Sequence, residues 1–262
     1  MDRRWLIGVG VGVVLALALC AGAAAAKDKG KGSDRVLSKV TFIHYRRGNA
    51  KPPWAGGGGT DKQQTQGSYT YIAKGAHWRT TEPFLLNPEG GENPDGDLDG
   101  LIAGAFGAGM DEWEAAGGSG LDIYGPLIID PSVTYDDGAY RGYNTFSFGP
   151  YGDSNVIAIT TVWGYFGGRP ADREIIEAHI LMNDEYAWGD ATDDADGDGS
   201  PDTYLMDVQN IATHELGHVA GMGDLYESGA SDETMYGYST EGETKKRDLY
   251  TGDIAGVTAL YQ

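Results

Sequence analysis

Residues 214–224 read His-Glu-Leu-Gly-His-Val-Ala-Gly-Met-Gly-Asp, and this stretch decides the fold. On a helix, His214 and His218 lie one turn apart on the same face, so both imidazoles can reach one metal ion. Glu215 projects beside that ion, where its carboxylate can accept a proton from a water molecule. The chain has only 5 histidines in 262 residues, which makes a chance match rare. The spacing therefore predicts a catalytic zinc site.

The third zinc ligand is predicted at Asp224. Gly221 tolerates the positive φ with which a chain turns out of a helix, and that turn brings the next ligating residue back towards the metal. No histidine follows His218, so the third ligand must be a carboxylate. Asp224 has the spacing that follows the glycine turn, whereas three other nearby carboxylates do not: Glu227, Asp232 and Glu233. An aspartate carboxylate is an acceptable zinc ligand.

The extended pattern His-Glu-x-x-His-x-x-Gly-x-x-Asp resembles the zinc signature of the metzincin metalloproteases. Met235 matches the methionine turn that lies beneath the zinc ligands in that family. Residues 176–183 resemble the matrixin strand before the active-site helix, 206–213 resemble the lead-in to that helix, and 246–261 resemble the closing helix. The resemblance implies an α+β fold, in which a twisted mixed sheet carries an active-site helix and a C-terminal helix.

The same resemblance implies peptide hydrolysis on protein or peptide substrates. In the family the substrate lies extended along an edge strand, for which 157–161 is the candidate here. Tyr236 and Tyr238 resemble the wall of the specificity pocket, although both could equally pack in the core. Three features depart from matrixins: an aspartate replaces the usual third histidine, the gap from Asp224 to Met235 is longer than usual, and no cysteine follows Cys20 to keep the zinc covered.

The N-terminal residues 1–26 have the features of a secretory signal peptide. Arg3 and Arg4 precede the stretch from Trp5 to Ala26, in which every residue is apolar or small. Two alternatives remain, because this stretch could stay as a membrane anchor and Cys20 could belong to a lipoprotein box. All three interpretations place the remaining chain outside the cytoplasmic membrane, with secretion as the prediction and anchoring through residues 5–26 as the alternative.

Residues 27–68 are predicted to be a linker, or a propeptide or structural arm, and 69–262 to be the matrixin-like domain. Within the first segment, Val36 to Tyr45 are rich in β-branched and aromatic residues and predict a strand. His44 lies in that strand, where it could cap the zinc or have no special role.

Two acidic glycine-containing loops resemble the first half of a calcium loop, in which ligands alternate along the chain. The seven candidate calcium ligands are Asp194, Asp196, Asp198 and Asp202 in one loop, and Asp95, Asp97 and Asp99 in the other. The alternative is a solvated acidic turn, because aspartate and glycine favour turns. Zinc and calcium are thus the predicted cofactors.

Composition excludes several classes of partner. The chain has 39 acidic against 19 basic residues and a net charge of −20, which argues against nucleic acid binding. One cysteine cannot form an intramolecular disulfide or a cysteine-rich zinc site. We expect a monomer with no membrane contact beyond an N-terminal anchor.

Two other functions compete with the endopeptidase. The fold could serve as a catalytically silent, calcium-dependent surface or matrix-binding module, although the intact Glu215 does not favour this. It could also be a zinc hydrolase for a small substrate, which a closed pocket would support.

The pattern of apolar and turn-forming residues predicts five main strands and three helices. The strands are expected over 36–45, 84–86, 127–133, 155–163 and 174–182, and the helices over 101–116, 207–220 and 252–261, with Thr251 capping the last.

Overall fold

A computed structural model describes the following residues of the chain: 35–48, 67–89, 98–118, 122–135, 140–194 and 197–262. The predicted signal segment 1–26 lies outside them, as do Asp95, Asp97 and Asp196. Within these ranges no helix combines the length and apolar character needed to cross a bilayer.

Among the described residues, three α-helices alternate with short and long strands. They are β1 (Ser38–Arg46), β2 (Thr70–Tyr71), β3 (Phe84–Leu86), α1 (Leu98–Gly117), β4 (Leu127–Ile129), β5 (Asn144–Gly149), β6 (Val156–Tyr165), β7 (Glu174–Asn183), β8 (Trp188–Gly189), β9 (Met206–Asp207), α2 (Val208–Ala220), β10 (Met222–Gly223), β11 (Tyr238–Ser239) and α3 (Thr251–Tyr261).

The central sheet is mixed and has the strand order β11-β1-β6-β7-β5-β3-β4. β7, β5, β3 and β4 are parallel neighbours, whereas β6 runs antiparallel to both β7 and β1. β7 is buried along nearly its whole length, as its largely apolar sequence predicts for a strand with neighbours on both sides. Together with α2 and α3, this sheet confirms the predicted α+β class.

Helix α1 joins the sheet to α2 through large buried side chains. The ring of Phe106 lies 4.5 Å from that of Phe146 in β5 and 5.5 Å from that of Phe84 in β3. Trp113, also fully buried, donates a hydrogen bond from its indole nitrogen to the carbonyl oxygen of Thr213 in α2, at 2.8 Å. This aromatic packing fixes the position of α2 against the sheet.

Three sequence predictions need correction. β4 ends at Ile129 rather than 133, because Asp130 accepts hydrogen bonds from the backbone and hydroxyl of Ser132 and so begins a turn. Thr251 is the first residue of α3 rather than its cap. Tyr250 takes the N-cap position, and its backbone N–H donates to Asp253.

The third correction concerns the predicted edge strand. Residues 157–161 lie within β6, and β6 is flanked by β7 on one side and by β1 on the other. β1 therefore covers the position at which an added strand was expected. Part of the segment predicted as a linker or arm is thus a strand of the central sheet, and whether 27–68 is removed stays a prediction.

Candidate metal centre

Helix α2 presents the metal-binding motif from a fixed and buried position. Asp207 caps its first turn by accepting a hydrogen bond from the backbone N–H of Asn210 at 2.8 Å, and it also binds the guanidinium of Arg247. His214, Glu215 and His218 are fully buried. The helix therefore holds the three motif side chains away from bulk water.

The helix ends at Gly221, which adopts a left-handed conformation with φ of 106°. Its backbone N–H donates to the carbonyl oxygens of Gly217 and His218, a hydrogen-bonding pattern typical of a helix C-terminus. The chain then returns through β10 and brings Asp224 towards the two histidines.

Replacing Gly221 by alanine is expected to destabilise the domain. A Cβ atom there would lie 2.9 Å from the carbonyl oxygen of Ala76 and 2.9 Å from a methyl group of Leu260, and it would occupy an unfavourable φ. The two effects together should cost about 2–4 kcal/mol in the free energy of unfolding. Thermal unfolding measures this, with Gly167→Ala as control because a Cβ atom there meets no atom within 4 Å. An equal loss of stability in Gly221→Ala and Gly167→Ala would contradict the role assigned to the close contacts and the positive φ of Gly221.

Three ligand atoms converge at the C-terminal half of α2. Asp224 Oδ1 lies 3.2 Å from His214 Nε2 and 3.3 Å from His218 Nε2. On the opposite edge of each ring, Nδ1 is within hydrogen-bond distance of a backbone carbonyl: that of Thr234 at 2.7 Å for His214, and that of Met222 at 3.1 Å for His218. A proton on each Nδ1 leaves the Nε2 lone pairs directed at the cluster.

The donor set fits a metal ion. His214 Nε2, His218 Nε2 and Asp224 Oδ1 are buried atoms that make no hydrogen bond to any residue in the structure's described part. Leaving three such atoms unsatisfied is costly, whereas one cation would satisfy all of them. Two imidazoles and a carboxylate are also the ligand types that zinc accepts. These residues can therefore hold a metal ion.

The second oxygen of Asp224 has its own partner. Tyr226 donates its hydroxyl hydrogen to Asp224 Oδ2 at 2.8 Å, and burial raises the pKa of this phenol. Burial alone would also raise the pKa of Asp224, but the neighbouring His218 and His214 outweigh it and hold that pKa well below its usual range. Tyr226 thus orients the carboxylate, a role that the sequence analysis missed although the tyrosine follows Asp224 by two positions.

Glu215 lies beside the cluster with both carboxylate oxygens hydrogen-bonded. Thr160 in β6 donates its hydroxyl hydrogen to Oε2 at 2.6 Å, and His44 Nδ1 lies 3.0 Å from Oε1. Burial raises the pKa of Glu215 to about 7. A divalent cation at the neighbouring ligands would stabilise the carboxylate and oppose this shift.

Met235 packs directly beneath the metal-binding turn of α2. It is fully buried, and a Cβ atom on Gly217 would lie 2.2 Å from its sulfur. Asp253 in α3 accepts hydrogen bonds from the backbone N–H groups of Thr234 and Met235, which anchors this turn to α3. The thioether therefore supports the helix at Gly217, the residue immediately before His218.

Tyr236 and Tyr238 follow Met235 along the side of the cluster. Tyr238 is buried in β11, and its ring lies 5.5 Å from that of Tyr226. The backbone carbonyls of Tyr236 and Tyr238 both accept hydrogen bonds from the ammonium group of Lys246. Lys246 is fully buried, which lowers its pKa to about 7, and sequence analysis missed it because it lies in a charged run.

His44 also lies in the site, so the interpretation of it as an ordinary strand residue is wrong. Its ring centre is 3.9 Å from that of His214, and only 1% of the residue is exposed. The ring of Phe42 lies parallel to that of His218, with centres 3.9 Å apart and an interplanar angle of 11°. β1 therefore covers both histidines of α2.

The acidic loops show no assembled ion site among the described residues. Within these, two groups bring ligand atoms close enough to share an ion: His44–His214–Glu215 and His214–His218–Asp224. Asp194 accepts from the backbone N–H of Gly199, and Asp198 accepts from that of Ser200. Asp202 is buried, the side chain of Asp99 is not described, and the calcium sites stay predictions.

The buried helix carries two histidines one turn apart with an adjacent glutamate, and a third ligand follows a glycine turn. This arrangement is typical of the metal centre of a metallopeptidase. Residues 164–262 match the matrixin family. Metalloendoproteinase 1-MMP of Arabidopsis thaliana is 43% identical over 56 residues, which are 21% of this chain and 14% of that protein. Residues 164–262 thus resemble a matrixin metalloprotease domain, and the two matches support a metalloprotease hydrolase. β1 lies outside the matched residues.

Proposed function

We propose that this chain is a secreted, zinc-dependent endopeptidase in which His214, His218 and Asp224 hold the zinc. The observation that carries the proposal is the convergence of three buried ligand atoms without hydrogen-bond partners. The matrixin match agrees with zinc as the metal. Secretion rests on the sequence pattern of residues 1–26.

Glu215 is the residue placed to move the proton during hydrolysis. Zinc at the neighbouring ligands would polarise the scissile carbonyl and acidify a water molecule. Glu215 would accept the proton from the attacking water and pass it to the leaving amine. The hydrogen bond from Thr160 fixes the orientation of the carboxylate for both transfers.

An extended peptide is the substrate that the cleft favours. β1 lies between β6 and β11 and pairs with both, so an extended peptide in its place could form backbone hydrogen bonds with both strands. Tyr236 and Tyr238 would form the wall along which the substrate side chain next to the scissile bond lies.

Calcium at the acidic loops is a second, separate proposal. Its support is the alternate spacing of Asp194, Asp196 and Asp198, with Asp202 following in the same loop. If the ions bind, addition of calcium to a zinc-saturated protein will raise its thermal midpoint, and Asp194→Ala will reduce the increase.

Zinc binding on the full chain tests the metal assignment. We expect one tightly bound zinc per chain, lost on chelation with a fall in the thermal midpoint, because bound ligand stabilises the native state. His214→Ala should abolish tight binding. His77→Ala is the matched control, since His77 lies outside the cluster and contacts the carbonyl of Gly75.

Hydrolysis of unstructured casein by the zinc-saturated protein tests the reaction. It is measured on the intact chain and on a chain cut between residues 48 and 67, because β1 covers the site in the intact chain. Absence of cleavage in both forms, despite stoichiometric zinc, would contradict the endopeptidase. Unchanged zinc binding in His214→Ala would contradict the metal site itself.

A further inference from the structure

β1 occupies the cleft in the arrangement expected of an extended substrate. It pairs antiparallel with β6 from Ser38 opposite Gly164 to Tyr45 opposite Val156, and it pairs parallel with β11, where Tyr45 is opposite Tyr238. Strand addition of this kind is a general way in which proteins bind extended peptides. The chain thus fills its own candidate substrate groove.

The side chains on one face of β1 cover the metal ligands. Phe42 stacks on His218 and His44 packs on His214. Because successive strand residues point to opposite faces, Phe42 and His44 face α2 while Ile43 between them faces away. The backbone linking Phe42 to His44 therefore crosses the entrance to the centre.

His44 also engages the residue that would act as the base. Its Nδ1 lies 3.0 Å from Glu215 Oε1, and its Nε2 lies 3.1 Å from Lys246 Nζ. A neutral imidazole satisfies both contacts, donating from Nδ1 to the carboxylate and accepting at Nε2 from the ammonium. With Thr160 on Oε2, each oxygen of Glu215 already has one hydrogen-bond partner, and the His44 ring lies where a water molecule bound to Oε1 would otherwise sit. His44 thus occupies the base, with Nδ1 on Glu215 and Nε2 on Lys246.

Lys246 explains why a histidine holds this position. Two of its three N–H groups bind the carbonyl oxygens of Tyr236 and Tyr238, and the third points to His44. A buried ammonium with a missing partner is costly, so His44 completes its hydrogen bonds. The lysine therefore anchors β1 in the cleft.

We propose that β1 is an internal inhibitor of this site and that His44 is its blocking residue. The inference rests on the proposed endopeptidase function and deepens it by assigning its regulation. Displacing β1 would open the groove, uncover His214 and His218, and release Oε1 of Glu215.

The test begins from the full, folded chain. A recognition sequence for a specific protease is inserted between residues 48 and 67, and the protein is cut after folding so that β1 need not be deleted. Cutting and removal of the released segment should raise casein hydrolysis at least tenfold. In the uncut chain, His44→Ala should also raise hydrolysis. Equal rates before and after removal would overturn the inference.

Peptide binding gives a readout that is independent of catalysis. A fluorescent peptide with the sequence of residues 35–48 is added to the cut protein from which the segment has been removed, and binding is followed by fluorescence polarisation. The His44→Ala peptide should bind at least tenfold more weakly than the parent peptide. Lys39→Ala is the matched control, since Lys39 is exposed on β1 away from α2.

The two readouts separate failure of the inference from failure of the proposed function. If neither form cleaves casein, the endopeptidase function is contradicted. Binding of the 35–48 peptide then still tests whether β1 occupies the cleft. If the His44→Ala and Lys39→Ala peptides bind equally well, His44 does not hold β1 in place and the inference fails even where cleavage is observed.

Discussion

Glu215→Gln is expected to lower casein hydrolysis by about 10²–10⁴-fold in the protein freed of β1, because general acid–base catalysis contributes on that scale. Glutamine has nearly the same shape as glutamate and keeps an oxygen for the hydroxyl of Thr160, so the fold and zinc stoichiometry should persist. An amide cannot accept the proton of the attacking water. The rate on casein and the zinc content of the same sample are measured together.

Glu227→Gln is the matched control for this substitution. Glu227 is an exposed carboxylate twelve positions further along the chain and lies outside the cluster. Its variant should hydrolyse casein at the parent rate. If Glu215→Gln retained most of the activity, proton transfer would have to be assigned to another group and the proposed mechanism would be wrong.

Asp224→Ala is expected to weaken zinc binding by more than about 100-fold. Substitution of a residue that only orients a metal ligand lowers metal affinity by about 10–100-fold, so removal of a ligand itself should lower the affinity further. The substitution also leaves the hydroxyl of Tyr226 without its carboxylate partner. Competition with a chelator of known affinity measures the change.

Asp232→Ala provides the comparison for Asp224→Ala. Asp232 is an exposed aspartate near Asp224 in the sequence that lacks the spacing predicted for the third ligand. Its loss should leave zinc affinity unchanged. Equal weakening in both variants, or none at Asp224, would require a different third ligand.

The metal centre could be predicted from sequence because its parts lie close together in the chain. Helical periodicity places His214 and His218 on one face, and a glycine with positive φ accounts for the return to Asp224. The fold class follows from the same resemblance. These inferences need only local geometry, which a single sequence contains.

The features that were missed depend on contacts between distant parts of the chain. The strand containing His44 could be recognised from its composition, but its hydrogen bond to Glu215 spans 171 positions, and no local pattern encodes that pairing. Lys246 belongs to a basic run that is typical of a solvated surface. Its ammonium group is nevertheless buried, because it donates hydrogen bonds to the backbone carbonyls of Tyr236 and Tyr238. The pairing of β1 with 157–161, which covers the predicted edge, was missed for the same reason.

The strand order has a further consequence for the shape of an acceptable substrate. Among the described strands β11 is paired in the central sheet with β1 alone, so departure of β1 would leave an opening one strand wide between β11 and β6. Neighbouring strands lie about 4.7–4.9 Å apart, so this opening is roughly twice that, whereas a helix with its side chains is about 10–12 Å across. A single extended backbone would fit and restore the sheet. A helical or compactly folded segment would be excluded until it unfolded locally, so the accessible cleavage points in a folded protein would be its loops and termini.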